Sequence, residues 1–279
     1  MSTPGGTRLE HGATTDVGLV REANEDSMLV RPPVFVVADG MGGHDRGDVA
    51  SALAVEALAA VAEQEHVDAR ATAAAVDAAL RAAQQRVSAY DAEQRAGGER
   101  RFASGTTVVS AVLSAHDGAP AWVVSNLGDS RAYGFDGTSL VRLSVDHSLV
   151  QDLLDAGSIA PEQAREHPER HVVTRALGAS GAVGADHVVA RLDVAPRLVL
   201  CSDGVTDLVD DDDLARLLAS APAPQEAADA LVAAALAAGG IDNATAVVVD
   251  VVGWDSPGGS GVARGPAPDA ETVPLPVLD

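Results

Sequence analysis

Apolar positions along the chain change their period several times, and each change marks a different kind of element. From Asp48 to Gln64 helix formers dominate, with Val49, Leu53, Ala57 and Val61 four residues apart, and Asp48 fits a cap or a first-turn acid. A second helical stretch covers about Ala69–Gln94, where Val76, Leu80, Ala83, Val87 and Tyr90 step by three and four before Gly97-Gly98 stops it. Both read as amphipathic helices covering a core. The period then shortens: Thr106–Leu113, Ala121–Ser125, Ser130–Phe135 and Ser139–Leu143 are short and rich in β-branched or aromatic residues, as strands are. Asp117-Gly118 and Asp136-Gly137 fall between successive strands and read as hairpin turns, which predicts an antiparallel meander. Strand character returns at His187–Asp193, Arg197–Cys201 and Ala244–Val252. Helices are expected at about Asp213–Ala219 and Pro224–Ala238, and a short one at Leu149–Ala156. Helices grouped around antiparallel strands indicate an α+β layered domain.

Two more Asp-Gly pairs behave differently. Asp39-Gly40 ends the run VFVVA, and Asp203-Gly204 follows LVLCS. Such continuous apolar runs belong to strands buried on both faces, and neither pair is followed by a matching strand. Each buried strand therefore delivers an acid at its end. Asp129 follows AWVVS in the same way, and Asp242 stands just before AVVVDV. Taken singly, each aspartate could equally cap a helix or a turn. Brought together they would repel, and a divalent cation would relieve both the repulsion and the cost of desolvation. An all-oxygen donor set selects Mg²⁺ or Mn²⁺ over Zn²⁺. Arg21 precedes Glu25 and Asp26 in a polar segment, and a guanidinium there could hold a phosphate in bidentate fashion. Asp210–Asp213 reads simply as a solvated acidic helix start.

Composition narrows the chemistry. The 279 residues carry 41 acidic and 19 basic side chains, a net charge of −22, and every basic residue apart from histidine is arginine. That charge argues against nucleic-acid partners, whose binding rests on neutralising phosphates. The absence of lysine excludes a Walker P-loop, a protein kinase site, a Schiff-base enzyme and a Ser-x-x-Lys hydrolase. Aromatics are only 3% against 47% hydrophobic residues, so the core must be Val, Leu and Ala. No apolar run approaches the roughly 18–20 residues of a membrane span, and no signal peptide is visible. The single cysteine, Cys201, suits a reducing compartment, so a cytoplasmic protein is expected. A cysteine phosphatase would need arginine six positions after its cysteine, where Asp207 stands. From Gly253 to Asp279 the chain is rich in Pro and Gly, without periodicity, and a disordered tail is expected.

In order, the segments TDVGLVREANEDS (Thr15–Ser27), VVADGMGGH (Val36–His44), SGTTVV (Ser104–Val109), NLGDSRAY (Asn126–Tyr133), DHSLV (Asp146–Val150), VVTRALG (Val172–Gly178), LCSDGVTDLV (Leu200–Val209) and DNATAVVV (Asp242–Val249) resemble the bacterial protein phosphatase 2C (PPM) family of metal-dependent Ser/Thr phosphatases. The match is colinear over about residues 8–252.

The resemblance implies an αββα sandwich with a two-metal centre at one end of two antiparallel sheets, holding Mn²⁺ or Mg²⁺. By motif, Asp39 would bridge both ions and the Gly40 carbonyl would bind one. Asp203 and Asp242 would complete the second ion's ligands, while Glu25 and Asp26 would act through water. Arg21 would clamp the phosphate, and Asp129 with Asp203 would form a weaker third metal site. Residues 146–171 would be a flap beside the cleft. A hydroxide shared by the two ions would attack phosphorus directly, without a phospho-enzyme. The implied substrates are phosphoserine and phosphothreonine proteins made by bacterial Ser/Thr kinases, for a monomeric enzyme. Met41 stands where eukaryotic members have the histidine proposed as general acid, and His44 is the nearby candidate. Two other readings share these residues: a hydrolase of small phosphate esters or phosphoanhydrides, and a non-catalytic docking module. The second usually loses metal ligands, yet every matched ligand position here is an acid.

Overall fold

The computed structural model describes residues 4–42, 46–99, 102–164, 167–179, 183–256, 259–261 and 273–275. In chain order the elements are β1 (Arg8–Asp16), β2 (Ser27–Arg31), β3 (Val34–Ala38), β4 (Gly40–Met41), α1 (Gly47–Ala59), α2 (Ala69–Ala96), β5 (Gly105–Thr106), β6 (Val108–His116), β7 (Ala119–Leu127), β8 (Arg131–Phe135) and β9 (Leu140–Arg142). There follow α3 (Leu149–Asp155), α4 (Pro161–Ala164), β10 (Asp186–Arg191), β11 (Arg197–Cys201), α5 (Asp203–Thr206), α6 (Asp211–Ser220), α7 (Pro224–Ala237), β12 (Ala244–Ser256), β13 (Gly259–Gly261) and β14 (Val273–Leu275).

Two large antiparallel sheets result, one ordered β1-β12-β11-β8-β9 and the other β14-β10-β7-β6-β3-β2, while β4 and β5 pair as a separate two-stranded sheet. They face each other, because a period of two sends alternate side chains of each strand to opposite faces. Phe35 and Val37 of β3 meet Leu198 and Leu200 of β11 and Val247 and Val249 of β12 in the layer between the sheets. Val34, Val36 and Ala38 turn outward to α1 and α2, while Val199, Cys201 and Val248 turn outward to α6 and α7. Both faces of both strands are thus buried, as their unbroken apolar runs predict. This is the expected αββα sandwich.

Both expected hairpins form: β6 pairs with β7 around Asp117-Gly118, and β8 pairs with β9 around Asp136-Gly137. Three details differ from the sequence reading. The buried stripe of α1 is Ala50, Ser51, Ala54 and Leu58 rather than the Val49–Leu53–Ala57 row, because small residues let this helix approach the sheet closely. β1 and β2 carried no predicted strand. Both are edge strands, each with one sheet neighbour; β1 interleaves only Leu9 and Ala13 of the inter-sheet layer with polar residues, and β2 offers three apolar residues, Met28, Leu29 and Val30, too few to set a period. β12 extends to Ser256, past the expected end at Val252, and β13 and β14 pair with β12 and β10. The other parts of the 253–279 tail lie outside the described residues, as does His44.

Candidate metal centre

β3 and β11 belong to opposite sheets, and their C-terminal ends meet at one end of the sandwich. The carboxyl groups of Asp39 and Asp203 line one cleft there and interact with each other. Asp39 is fixed by the SGTTVV segment: its N–H donates to Thr107 Oγ1 at 3.2 Å, and its carbonyl accepts from Thr107 N at 2.9 Å and Thr106 Oγ1 at 2.8 Å. Thr107 Oγ1 also lies 2.7 Å from Ser130 Oγ, which ties the residue beside Asp129 to the same point. A Cβ on Gly40 would collide with the carbonyl oxygens of Gly47 and Glu25, so only glycine lets α1 and the Glu25 segment close around Asp39.

The β1–β2 connection reaches the site through Asn243, whose Nδ2 donates to the Val17 and Ala23 carbonyls at 2.9 Å each while its Oδ1 accepts from Glu25 N at 2.8 Å. That staple places Arg21 with Nη2 2.6 Å from Asp242 Oδ2. Asp26 is set back against β11 and β12, its Oδ2 accepting from Ser202 Oγ at 2.8 Å and Thr245 Oγ1 at 2.6 Å. Its Oδ1 is buried without a hydrogen-bond partner among the described residues.

A cleft of ≈ 490 Å³ opens over these groups. Arg21 and His171 line it against Glu25, Asp39, Asp129, Asp203, Asp207 and Asp242. Burial first, and the like charge of neighbours after it, raises several of these carboxyl groups. Burial, then the neighbouring Asp203, holds Asp39 well above the carboxylate range. Burial followed by Asp207 lifts Asp203 to about 6. Burial, followed by Asp203, lifts Asp129 to about 8, and burial lifts Asp26 to about 7. Hydrogen bonding to Asp242 raises Arg21 further.

These residues fit divalent cations. The acids contribute only oxygen donors, Arg21 and His171 offset the charge of six lining carboxyl groups only in part, and Asp26 Oδ1 has no hydrogen-bond partner among the described residues. Every sequence-assigned position except His44 is among the described residues; Arg21, Glu25, Asp39, Gly40, Asp129, Asp203 and Asp242 line the cleft, with Asp26 behind it.

Sequence reasoning passed over two lining residues. Asp207 stands four positions after Asp203, a spacing that one helical turn such as α5 carries onto one face. His171, at the far end of the 146–171 flap, places Nδ1 3.0 Å from Asp207 Oδ2. The flap is rooted by Arg131 and Arg142, which both pair with Asp146. Its His147 ring accepts from Gly128 N at 3.0 Å and lies 3.1 Å from Asp186.

A four-layer sandwich with a carboxylate-rich cleft at one end of its sheets defines a metal-dependent phosphatase scaffold. The chain belongs to the protein phosphatase 2C family, whose profile matches residues 22–238. It is 36% identical over 241 residues to the serine/threonine phosphatase Stp of Listeria welshimeri, covering 85% of this chain and 93% of that one. It is 38% identical over 248 residues to the serine/threonine protein phosphatase PstP of Mycobacterium tuberculosis, covering 88% of this chain and 46% of that protein. A crystal structure of the catalytic domain of PstP in complex with two manganese ions superposes with a TM-score of 0.73 at 34% identity, over 87% of this chain and 98% of the other.

Proposed function

We propose that the protein hydrolyses phosphoserine and phosphothreonine monoesters on other proteins, using two Mn²⁺ or Mg²⁺ ions. The observation that supports this reading is that Asp39 and Asp203, from opposite sheets, line one cleft together with Arg21. Asp39, the Gly40 carbonyl, Asp203 and Asp242 would hold the ions, with Glu25 and Asp26 reaching them through water. When bound, the ions would supply a water of lowered pKa as the nucleophile for direct attack on phosphorus. Arg21 would turn from Asp242 to the substrate and grip two phosphoryl oxygens, stabilising charge that builds on them during transfer. Asp129 with Asp203 would offer a weaker third cation position. The flap from Asp146 to His171 would border the bound substrate.

The substrates proposed are products of Ser/Thr kinases, met in the cytoplasm by a monomeric enzyme. The test is phosphate release from phosphothreonine peptides and from nucleotides, with EDTA and with added Mn²⁺. Release from peptides that stops in EDTA, returns with Mn²⁺ and is lost in Asp39→Asn is expected. Undiminished release in EDTA would overturn the reading, and turnover of nucleotides alone would redirect it to small phosphate compounds.

A further inference from the structure

Eight large apolar side chains stay exposed among the described residues, and three of them share one corner of the cleft mouth: Leu19 at 70%, Val20 at 66% and Ile241 at 45%. They sit on two strips of backbone that run side by side. Leu19 N donates to Gly240 O at 2.7 Å, and Arg21 meets Asp242 at 2.6 Å, so Val20 and Ile241 lie between these two links. The strips touch so closely that a Cβ on Gly18 would collide with the Asp242 and Gly240 carbonyl oxygens, and Gly18 is at φ +80°. Asp16 Oδ1 accepts from Gly18 N at 2.8 Å, and the Asn243 staple holds both flanks. This corner is therefore framed by hydrogen bonds and close backbone packing.

Aliphatic side chains held rigidly in water are unfavourable unless something covers them. What enters the adjoining cleft is what can reach them. Ile241 itself lines the cleft, and Leu19 and Val20 immediately precede Arg21. The protein carries a net charge of −22, so its long-range field repels a phosphorylated, acidic partner. Attraction has to come from short-range contacts at the site. We infer that Leu19, Val20 and Ile241 form a subsite for an aliphatic or aromatic side chain flanking the phosphorylated residue of a protein substrate. This rests on the phosphatase reading and adds the class of sequence that the site favours.

The experiment compares phosphothreonine peptides of one length that differ only beside the phosphothreonine, carrying Leu or Phe in one set and Ser in the other, with p-nitrophenyl phosphate as a substrate lacking any flank. The Mn²⁺-loaded wild-type protein is expected to prefer the apolar-flanked peptides by about tenfold in kcat/KM, mostly through KM. In Leu19→Ser/Val20→Ser, and in the nearly isosteric Val20→Thr, that preference should shrink toward one. The ratio of apolar-peptide to p-nitrophenyl phosphate kcat/KM should fall with it, a readout that a general loss of folded protein does not move. Equal turnover of both peptide sets by the wild type, or a preference retained in the variants, overturns the inference alone. Absence of turnover on all substrates overturns the phosphatase reading and the inference with it.

Discussion

Thr107 holds Asp39 from both sides of its peptide unit, its hydroxyl accepting the Asp39 N–H at 3.2 Å and its own N–H meeting the Asp39 carbonyl at 2.9 Å. The acid at the end of β3 is thereby aimed by a residue at the start of β6. Thr107→Val keeps the shape and the backbone bond but leaves the Asp39 N–H without its acceptor. A buried donor stranded in this way costs about 1–3 kcal/mol. Thermal melting of the metal-free protein should show Tm lower by about 2–12 °C. An unchanged Tm would mean that the threonine hydroxyl plays no part in fixing Asp39.

Arg21 and Asp242 form a half-exposed ion pair, with side-chain exposures of 50% and 32%. Such pairs contribute little to stability, so Arg21→Ala should leave Tm nearly where it was. Its effect belongs to phosphate binding: kcat/KM should drop about 10²-fold, with Arg21→Lys recovering only part because an ammonium cannot grip two oxygens in a fixed fork. Steady-state kinetics on p-nitrophenyl phosphate, alongside a melting curve, separates the two roles.

Asp39→Asn should act in opposite directions with and without metal. In the metal-free protein it removes one of several crowded carboxyl groups, so Tm should rise. Saturating Mn²⁺ should stabilise the wild type by about 5–10 °C, since a ligand present at about 100 times its Kd adds about 2.7 kcal/mol. That shift should nearly vanish in the variant, and activity should fall by about 10³-fold. Calorimetric scans with EDTA or Mn²⁺ check the stability half.

Asp186 sits outside the cleft, its carboxylate 3.1 Å from His147 Nε2 and 2.9 Å from Arg175 Nη1, and these partners hold its pKa down at about 2. An aspartate in the unfolded chain titrates near 4. The folded form therefore binds fewer protons over that interval, and the stability contributed by Asp186 is complete above about pH 5 and lost as pH falls toward about 2. Asp186→Asn should melt below the wild type at pH 7, and the gap should narrow steadily on acidification below about pH 4. A gap independent of pH would assign the effect to packing instead.

Much of this protein could be read from one strand of letters. The runs VFVVA and LVLCS announced strands buried on both faces, and the two Asp-Gly hairpins announced antiparallel pairing. These are local matters: side-chain period and turn geometry act between near neighbours, so the sequence carries them openly. The types of residue suited to a hard cation were equally visible, as was the arginine beside them. Edge strands β1 and β2 were not, because β1 interleaves only Leu9 and Ala13 with polar residues and the three apolar residues of β2 are too few to set a period.

Tertiary structure decided which acids meet. Asp39 and Asp203 lie far apart in the chain and follow strands of different sheets, and only face-to-face packing of those sheets brings both into one cleft. Pairing within each sheet did as much: the β3–β6 ladder sets Thr107 against Asp39, and beyond the ends of the β1–β12 ladder Asn243 holds the Arg21 loop and Leu19 and Val20 lie beside Ile241. His171 and Asp207 reach the same cleft from the flap and from the end of α5. None of these relations has a sequence period, because each is made by a long-range contact. The chemistry was written along the chain, and the geometry that makes it a site arose when the two sheets closed on each other.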